Sequence, residues 1–246
     1  NRITTTPGPT GLPTPGSTGS VREFNLTAAV TPVDLGTGQF QAWTYNGQPV
    51  GPEIRVTEGE TIRATLTNNL PDPTTIHWHG LPVPNAMDGV PRLTQPPVQP
   101  GETFVYEFPA WPSGTYWYHP HVGHQLDRGL VGPLIVEARN EPGDYDREYV
   151  LVLDDWVPVD GGGPEAAVRS SGNGGMMGGG MMGMMRRGFQ TPAGDGPLTE
   201  PVYTTFAVNG QTASAAPPLV TKQGERVRLR LINASGATIY GLRLAG

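Results

Sequence analysis

Alternating apolar and polar residues along most of the chain predict short β-strands. Residues 21–30, 39–45 and 61–67 alternate in this way, which is typical of strands with one buried face. Asn46-Gly47 predicts a tight turn after the second of these runs. Further strands are predicted at residues 54–56, 75–79, 103–108, 114–119, 134–137 and 149–154. Many short strands with few helical patterns predict an all-β fold, namely a Greek-key β-sandwich or barrel.

Two segments lack this alternation. Residues 1–20 consist mostly of Thr, Pro, Gly and Ser, so the sequence predicts a disordered tail there. Residues 158–200 are predicted to form a Gly- and Met-rich loop or linker, and three methionine doublets lie within residues 176–185. Glycine content of this kind favours a flexible connection. Thioether sulfur prefers copper(I), so a copper-related role stays open beside the linker interpretation.

The end of the chain repeats part of its beginning. Residues 224–233 follow the pattern of residues 59–68 position by position, and Asn209-Gly210-Gln211 echoes Asn46-Gly47-Gln48. An internal repeat of this kind predicts a second copy of the same structural unit.

The repeat leads to a prediction of domain organisation. We expect a complete domain at residues 21–157 and an incomplete second domain at residues 201–246, so that the chain is a fragment of a longer polypeptide. When the repeat is extended, Leu242 and Leu244 take the positions of His77 and His79. The second domain is therefore expected to lack the histidine chemistry of the first.

Composition excludes several function classes. The 246 residues include 16 Lys and Arg and 22 Asp and Glu, which gives a net charge of −6. The basic residues are scattered, so there is no footprint for nucleic acid. No apolar run approaches the length of a membrane span. Because the chain contains no cysteine, disulfides are excluded.

The chemistry is concentrated in two His-x-His pairs, His77 with His79 and His119 with His121. In extended chain, residues two apart point to the same face, so each pair presents two imidazoles side by side. Imidazole suits copper, zinc, iron and nickel. A single pair can arise by chance on a strand surface, but two pairs flanked by aromatic residues predict a metal site. His124 breaks the spacing, and we interpret it as a supporting or surface residue.

The residues around these pairs resemble the first domain of multicopper oxidases, the laccases and bacterial metal oxidases. The resemblance rests on His-Trp-His-Gly at residues 77–80, Asp-Gly at 88–89, Gly-Thr-Tyr-Trp-Tyr-His-Pro-His at 114–121 and Gly-Leu-Val-Gly-Pro-Leu-Ile-Val at 129–136. It implies a cupredoxin-like sandwich that carries half of a trinuclear copper site. By this resemblance, His77 is a ligand of the type 2 copper, and His79, His119 and His121 are ligands of the type 3 pair.

The same resemblance gives Asp88 a catalytic role in delivering protons during dioxygen reduction. The alternative is structural, because an aspartate before a glycine in a loop rich in Pro, Asn and Gly is also typical of a turn.

The resemblance implies an oxidase that oxidises phenolic or aromatic donors, or cuprous ion, and reduces dioxygen to water. A type 1 copper needs a cysteine thiolate, and this chain has none. The electron-entry site is therefore expected in the remaining C-terminal part of the oxidase, which would be present as a second chain. By family resemblance, the protein is expected to be secreted or periplasmic after removal of a signal peptide. The alternative is a copper-sequestering module without oxidase activity, and a two-domain nitrite reductase is a third, weaker interpretation.

Overall fold

The computed structural model describes residues 19–141, 143–158 and 203–243. Within these ranges the fold is all-β, with twelve strands and one short 3-10 turn at Asn85–Met87. The strands are β1 (Val21–Asp34), β2 (Gln39–Tyr45), β3 (Ile54–Thr57), β4 (Thr61–Asn69), β5 (His77–His79), β6 (Thr103–Pro109), β7 (Gly114–His119), β8 (Gly132–Glu137), β9 (Arg147–Trp156), β10 (Thr205–Val208), β11 (Gln211–Thr212) and β12 (Val227–Asn233). Residues 1–18 of the predicted N-terminal tail, residues 159–200 of the predicted Gly- and Met-rich segment and Leu244 lie outside the described residues. Over the ranges described, no helix is long and apolar enough to cross a membrane.

The first sheet has the strand order β2-β1-β4-β6. β1 pairs antiparallel with β2 and parallel with β4, and β4 pairs antiparallel with β6. The alternation predicted for β4 is confirmed, because Ile62, Ala64 and Leu66 are buried while the residues between them are partly exposed. This sheet therefore presents one apolar face to the core and one polar face to solvent.

The second sheet has the order β3-β8-β7-β5 and packs its apolar face against the first sheet. Trp78 on β5 and Tyr118 on β7 are fully buried and contact each other between the two sheets, where Trp78 also meets Tyr106 and Phe108 of β6. Burying aromatic side chains of this size supplies much of the hydrophobic stabilisation of a sandwich. The core thus fixes the two strands that carry the His-x-His pairs.

The strand predicted at residues 75–79 is shorter than expected, since β5 begins only at His77. The reason is that the preceding backbone bonds to other parts of the chain and not to β7. The N–H of Ile76 donates to the Tyr106 hydroxyl at 2.8 Å, and Thr74 forms an isolated bridge with Val98.

In the third sheet, β11-β10-β9-β12, the three strands β10-β9-β12 repeat the order of β2-β1-β4 in the first. β9 pairs antiparallel with β10 and parallel with β12, as β1 does with β2 and β4. Asn46 and Asn209 have left-handed φ values of 53° and 50° and begin equivalent turns. Each asparagine bonds through its N–H and its Oδ1 to the backbone of one residue on the neighbouring strand, Thr27 for Asn46 and Val152 for Asn209. The repeat read from the sequence is therefore a repeat of structure.

The third sheet packs one face on the first two sheets through apolar contacts and an ion-pair network. Arg230 on β12 is only 5% exposed, and its Nε donates to Glu148 at 2.7 Å. Glu148 also accepts from Arg55 Nη1 of β3 at 2.9 Å. The opposite face of the third sheet includes Phe206 and Leu231, which are 48% and 46% exposed.

Candidate metal centre

The pairing of β5 with β7 brings the two His-x-His motifs together. In this antiparallel ladder His77 lies opposite His119, and His79 lies opposite Trp117. Alternate residues of a strand share a face, so these four side chains stand on the outer face of the second sheet. β7 ends at His119, directly before Pro120, which has no N–H to donate to a ladder, and β5 is the edge strand of this sheet.

The four imidazoles form one cluster. The ring of His77 lies 5.6 Å from that of His79, 5.5 Å from that of His119 and 4.6 Å from that of His121, measured between centroids. One ring nitrogen from each of His77, His119 and His121 lies within 4.8 Å of the others. His79 falls outside this group of three, but its Nδ1 lies 3.2 Å from Nε2 of His119.

Burial favours the neutral form of three of these rings, those of His79, His119 and His121. It is the main cause that lowers the pKa of His119 to about 3, and the neighbouring histidines lower it further against a hydrogen bond to Pro120. Burial also lowers the pKa of His79 and of His121, in each case together with repulsion from His77. Neutral imidazoles keep the lone pair that a metal ion requires. The cluster is therefore ready to bind a cation at neutral pH.

Backbone carbonyls hold two of the rings from behind. Nδ1 of His77 lies 2.8 Å from the carbonyl oxygen of Asp88 and 3.3 Å from its Oδ1. Nδ1 of His119 lies 2.9 Å from the carbonyl oxygen of Pro120. With Nδ1 protonated to donate these bonds, Nε2 of each ring carries the free lone pair.

The sequence profile of the multicopper oxidase family matches residues 27–141, which contain all four histidines. Residues 27–141 are thus a multicopper oxidase domain. The all-β architecture of the chain is the cupredoxin-like fold of solved multicopper oxidases, as the resemblance implied.

Relatives extend this similarity over most of the chain. The multicopper oxidase MmcO of Mycobacterium tuberculosis is 36% identical over 233 residues, which cover 90% of this chain and 45% of that protein. Copper resistance protein A of Escherichia coli is 34% identical over 246 residues, covering 91% and 40%. The crystal structure of a multicopper oxidase from Pseudomonas thermotolerans aligns with a TM-score of 0.68 at 35% identity, covering 89% and 47%. This chain thus spans less than half the length of these relatives, which fits an N-terminal portion.

A multicopper oxidase domain implies copper, and the donor set of the cluster suits that metal. All four candidate ligands are imidazoles, which bind copper well, and the chain has no thiolate to favour another coordination. The site is half-buried, with His119 only 7% exposed, so an ion held there would be partly shielded from water.

Sequence reasoning missed the polar residues that support the second histidine pair. The buried side chain of Gln125 accepts from the Thr74 hydroxyl at 2.7 Å and donates to the carbonyl oxygen of Pro73 at 2.8 Å. Thr75 in turn accepts from the backbone N–H of His121 at 3.4 Å. No spacing signal marks these residues, because their partners are distant in sequence.

Within the described ranges, His77, His119 and His121 form the group with metal-binding geometry, and His124 is not among them. Its Nδ1 lies 3.2 Å from Oδ2 of Asp127, and Asp127 also accepts a hydrogen bond from the Tyr203 hydroxyl. His124 therefore contacts Asp127, and Asp127 in turn contacts Tyr203, a residue just before β10 of the third sheet. Leu242, which takes the position of His77 in the repeat, is 57% exposed.

Proposed function

We propose that this chain is the N-terminal part of a laccase-like multicopper oxidase and that its four histidines form half of a trinuclear copper site. His77 is assigned to the type 2 copper, and His79, His119 and His121 to the type 3 pair. The observation that carries the proposal is the convergence of four imidazoles on one sheet face, with Nδ1 of His79 only 3.2 Å from Nε2 of His119.

The spacing of two nitrogens supports a shared ion. Two nitrogens bound to one metal at about 2.0 Å, with a tetrahedral angle between the bonds, are separated by about 3.3 Å. Nδ1 of His79 and Nε2 of His119 match this separation. We therefore assign these two histidines to one copper of the type 3 pair. His121, whose ring stacks edge-on to His77 at 4.6 Å, is left to the other type 3 copper, next to the type 2 position.

Copper, when bound, supplies the redox chemistry that transfers electrons to dioxygen. The protein contributes proton delivery, which the proposal assigns to Asp88. Its carboxylate oxygen Oδ1 lies 3.3 Å from Nδ1 of His77, and its side chain is 32% exposed. A carboxyl group that touches a ligand on one side and water on the other can take up a proton from solvent and pass it inward.

The chain needs a partner to complete this activity. It has no cysteine for a type 1 copper, and five histidines in all cannot fill a trinuclear site. The proposal therefore includes the remaining C-terminal part of the oxidase, with dioxygen as the electron acceptor. One relative is named a copper resistance protein, which favours cuprous ion as the donor, while phenolic and aromatic donors remain in the proposal. A secreted or periplasmic location fits that role.

A copper-sequestering module without oxidase activity is the second candidate. It is favoured by the complete absence of cysteine together with the three methionine doublets, since thioethers hold copper(I). In that case the four histidines would bind copper, but no electrons would pass to dioxygen.

One experiment separates the two candidates. The purified protein is measured by denaturing mass spectrometry and copper analysis, and its dioxygen consumption is followed with cuprous ion and with a phenol. A second mass that contains cysteine, with copper and dioxygen consumption, supports the oxidase. This chain's mass alone, with copper but no dioxygen consumption, supports sequestration. A protein without copper at the histidines overturns both.

A further inference from the structure

We propose that Trp117 is a positioning residue that fixes the imidazole rings of His79 and His119 and couples them to the packing of the third sheet. The inference rests on the proposed function, because it concerns two of the proposed copper ligands. It adds a role for a side chain that binds no metal itself.

The indole of Trp117 stacks on both rings. Its ring centroid lies 4.7 Å from that of His79 at an interplanar angle of 23°, and 4.2 Å from that of His119 at 20°. The torsion that turns an imidazole about its Cβ–Cγ bond is soft, so the ring plane is set by its neighbours. One flat indole next to two ligand rings can therefore hold both in the planes that bring Nδ1 of His79 towards Nε2 of His119.

No backbone carbonyl is hydrogen-bonded to Nδ1 of His79 among the described contacts, so we assign the orientation of this ring to the indole. His77 and His119 have backbone carbonyls at their Nδ1 atoms, whereas Nδ1 of His79 faces His119. His79 would turn its Nδ1 away from the metal if it used that atom to donate to the backbone. Stacking restrains the ring without occupying either nitrogen.

The same indole belongs to the interface with the third sheet. Trp117 packs against a buried apolar cluster made of Val131, Val152, Ile232 and Ala234. Val152 lies on β9 and Ile232 on β12, so two strands of the third sheet contribute to this cluster. Trp117 therefore contacts the third sheet on one side and two proposed ligands on the other.

The outer face of β7 shows how the contact is aligned. Thr115, Trp117 and His119 alternate along the strand and share this face. Thr115 accepts a hydrogen bond from Nη1 of the buried Arg230 at 3.0 Å, which fixes β12 against the start of β7. Along this face, Thr115 contacts the third sheet, Trp117 follows with its indole, and His119 comes last as a proposed ligand. Packing of the third sheet is thereby transmitted to the ligand rings.

The test measures the rings directly in the whole chain, with histidines labelled for NMR. Protons that lie over an indole face are shifted upfield by its ring current, and the five histidines give few signals to resolve. The variants are Trp117→Leu, Trp117→Phe and Ile232→Ala. Leu231→Ala is the matched control, because Leu231 is the neighbouring residue of β12 but points to the exposed face. Copper(I) affinity is then measured anaerobically by competition with a chelator.

The upfield shifts disappear with the indole in any case, so the line widths of the ring signals report on ring orientation. We expect Trp117→Leu to broaden the ring signals of His79 and His119 and to weaken copper(I) binding about tenfold, as is typical when the support of a ligand is lost. Trp117→Phe keeps an aromatic plane, so it should retain part of the restraint on the two rings and part of the copper(I) affinity. Ile232→Ala should broaden the signals of His79 and His119, while Leu231→Ala should match the wild type.

Ring signals of His79 and His119 as sharp as in the wild type, together with wild-type copper(I) affinity, in Trp117→Leu would overturn the positioning role. Identical spectra for Ile232→Ala and Leu231→Ala would overturn the coupling to the third sheet. If Trp117→Leu does not fold, Trp117→Phe and Ile232→Ala still decide both points. A wild-type chain that binds no copper(I) at these histidines refutes the proposed function, whereas the metal-free spectra still test Trp117.

Discussion

Gly89 lies directly against the backbone of Ile76. A Cβ atom at position 89 would stand 1.9 Å from the Ile76 carbonyl oxygen, and the residue has a φ of 77°. This close approach places Asp88, with its carbonyl oxygen, beside His77. The Asp-Gly dipeptide is therefore a structural requirement of the metal centre as well as a turn.

Substituting Gly89 should disturb the site. Gly89→Ala combines the left-handed backbone cost of about 1–2 kcal/mol with overpacking of about 1–3 kcal/mol. We expect the free energy of unfolding, measured in urea, to fall by the sum, and copper binding to weaken as Asp88 moves. Gly101→Ala is the control, because Gly101 has a φ of 83° but open space around its Cα. Equal losses in the two variants would refute the steric argument.

Removing a proposed ligand should abolish copper binding at its position. His119→Ala takes away Nε2, which lies 3.2 Å from Nδ1 of His79, so the ion between them loses a ligand. We expect copper affinity to fall by more than about 100-fold, beyond the effect usual for residues that only support a ligand. His124→Gln should keep wild-type affinity in the same titration. Equal affinities for His119→Ala and the wild type would contradict the assignment.

A change at Asp88 should separate proton delivery from metal binding. Asp88→Asn removes the titratable carboxylate but keeps the backbone carbonyl oxygen that lies 2.8 Å from Nδ1 of His77. In the assembled oxidase we expect copper content to stay the same and the rate of dioxygen reduction to fall about 10²–10⁴-fold. The exposed Asp72 provides the control, as Asp72→Asn. Loss of copper in Asp88→Asn would instead indicate a structural role, and an unchanged rate would exclude proton delivery.

The interface between β3, β9 and β12 should give stability a pH dependence. Burial opposes the charge of Glu148, but hydrogen bonds from Arg230 and Arg55 outweigh it and keep the pKa of Glu148 below its ordinary value of 4.5. A carboxylate with a lowered pKa in the folded state stabilises the fold fully above its ordinary pKa. That stability is lost as the pH falls through the folded pKa.

Glu148→Gln should remove this dependence. Because Arg230 is buried, losing its partner should cost about 3 kcal/mol at neutral pH, and the cost should shrink as the pH drops below about 4.5. Urea unfolding at a series of pH values measures both effects. Glu107→Gln, which breaks an exposed pair with Arg63, should cost less than about 1 kcal/mol. A cost for Glu148→Gln that does not vary with pH would contradict the ion-pair account.

The sequence alone determined the class of fold and the candidate ligands. Alternation with a period of two depends only on which face of a strand is buried, so β4 could be predicted from residues 61–67. The two His-x-His pairs were visible because both members of each pair are close in sequence. The repeat of the Asn46 and Asn209 turns was readable for the same reason, since a left-handed turn demands particular residues locally.

Tertiary structure decided what lies across the sheets. The register that sets His77 opposite His119 joins residues 42 positions apart, and it is fixed by the burial of Trp78 and Tyr118 in the core. The stacking of Trp117 on two histidines and its contact with the third sheet were likewise invisible, because no local pattern distinguishes this tryptophan from a core residue. Long-range register and packing are collective properties of the whole core, so only the assembled fold reveals them.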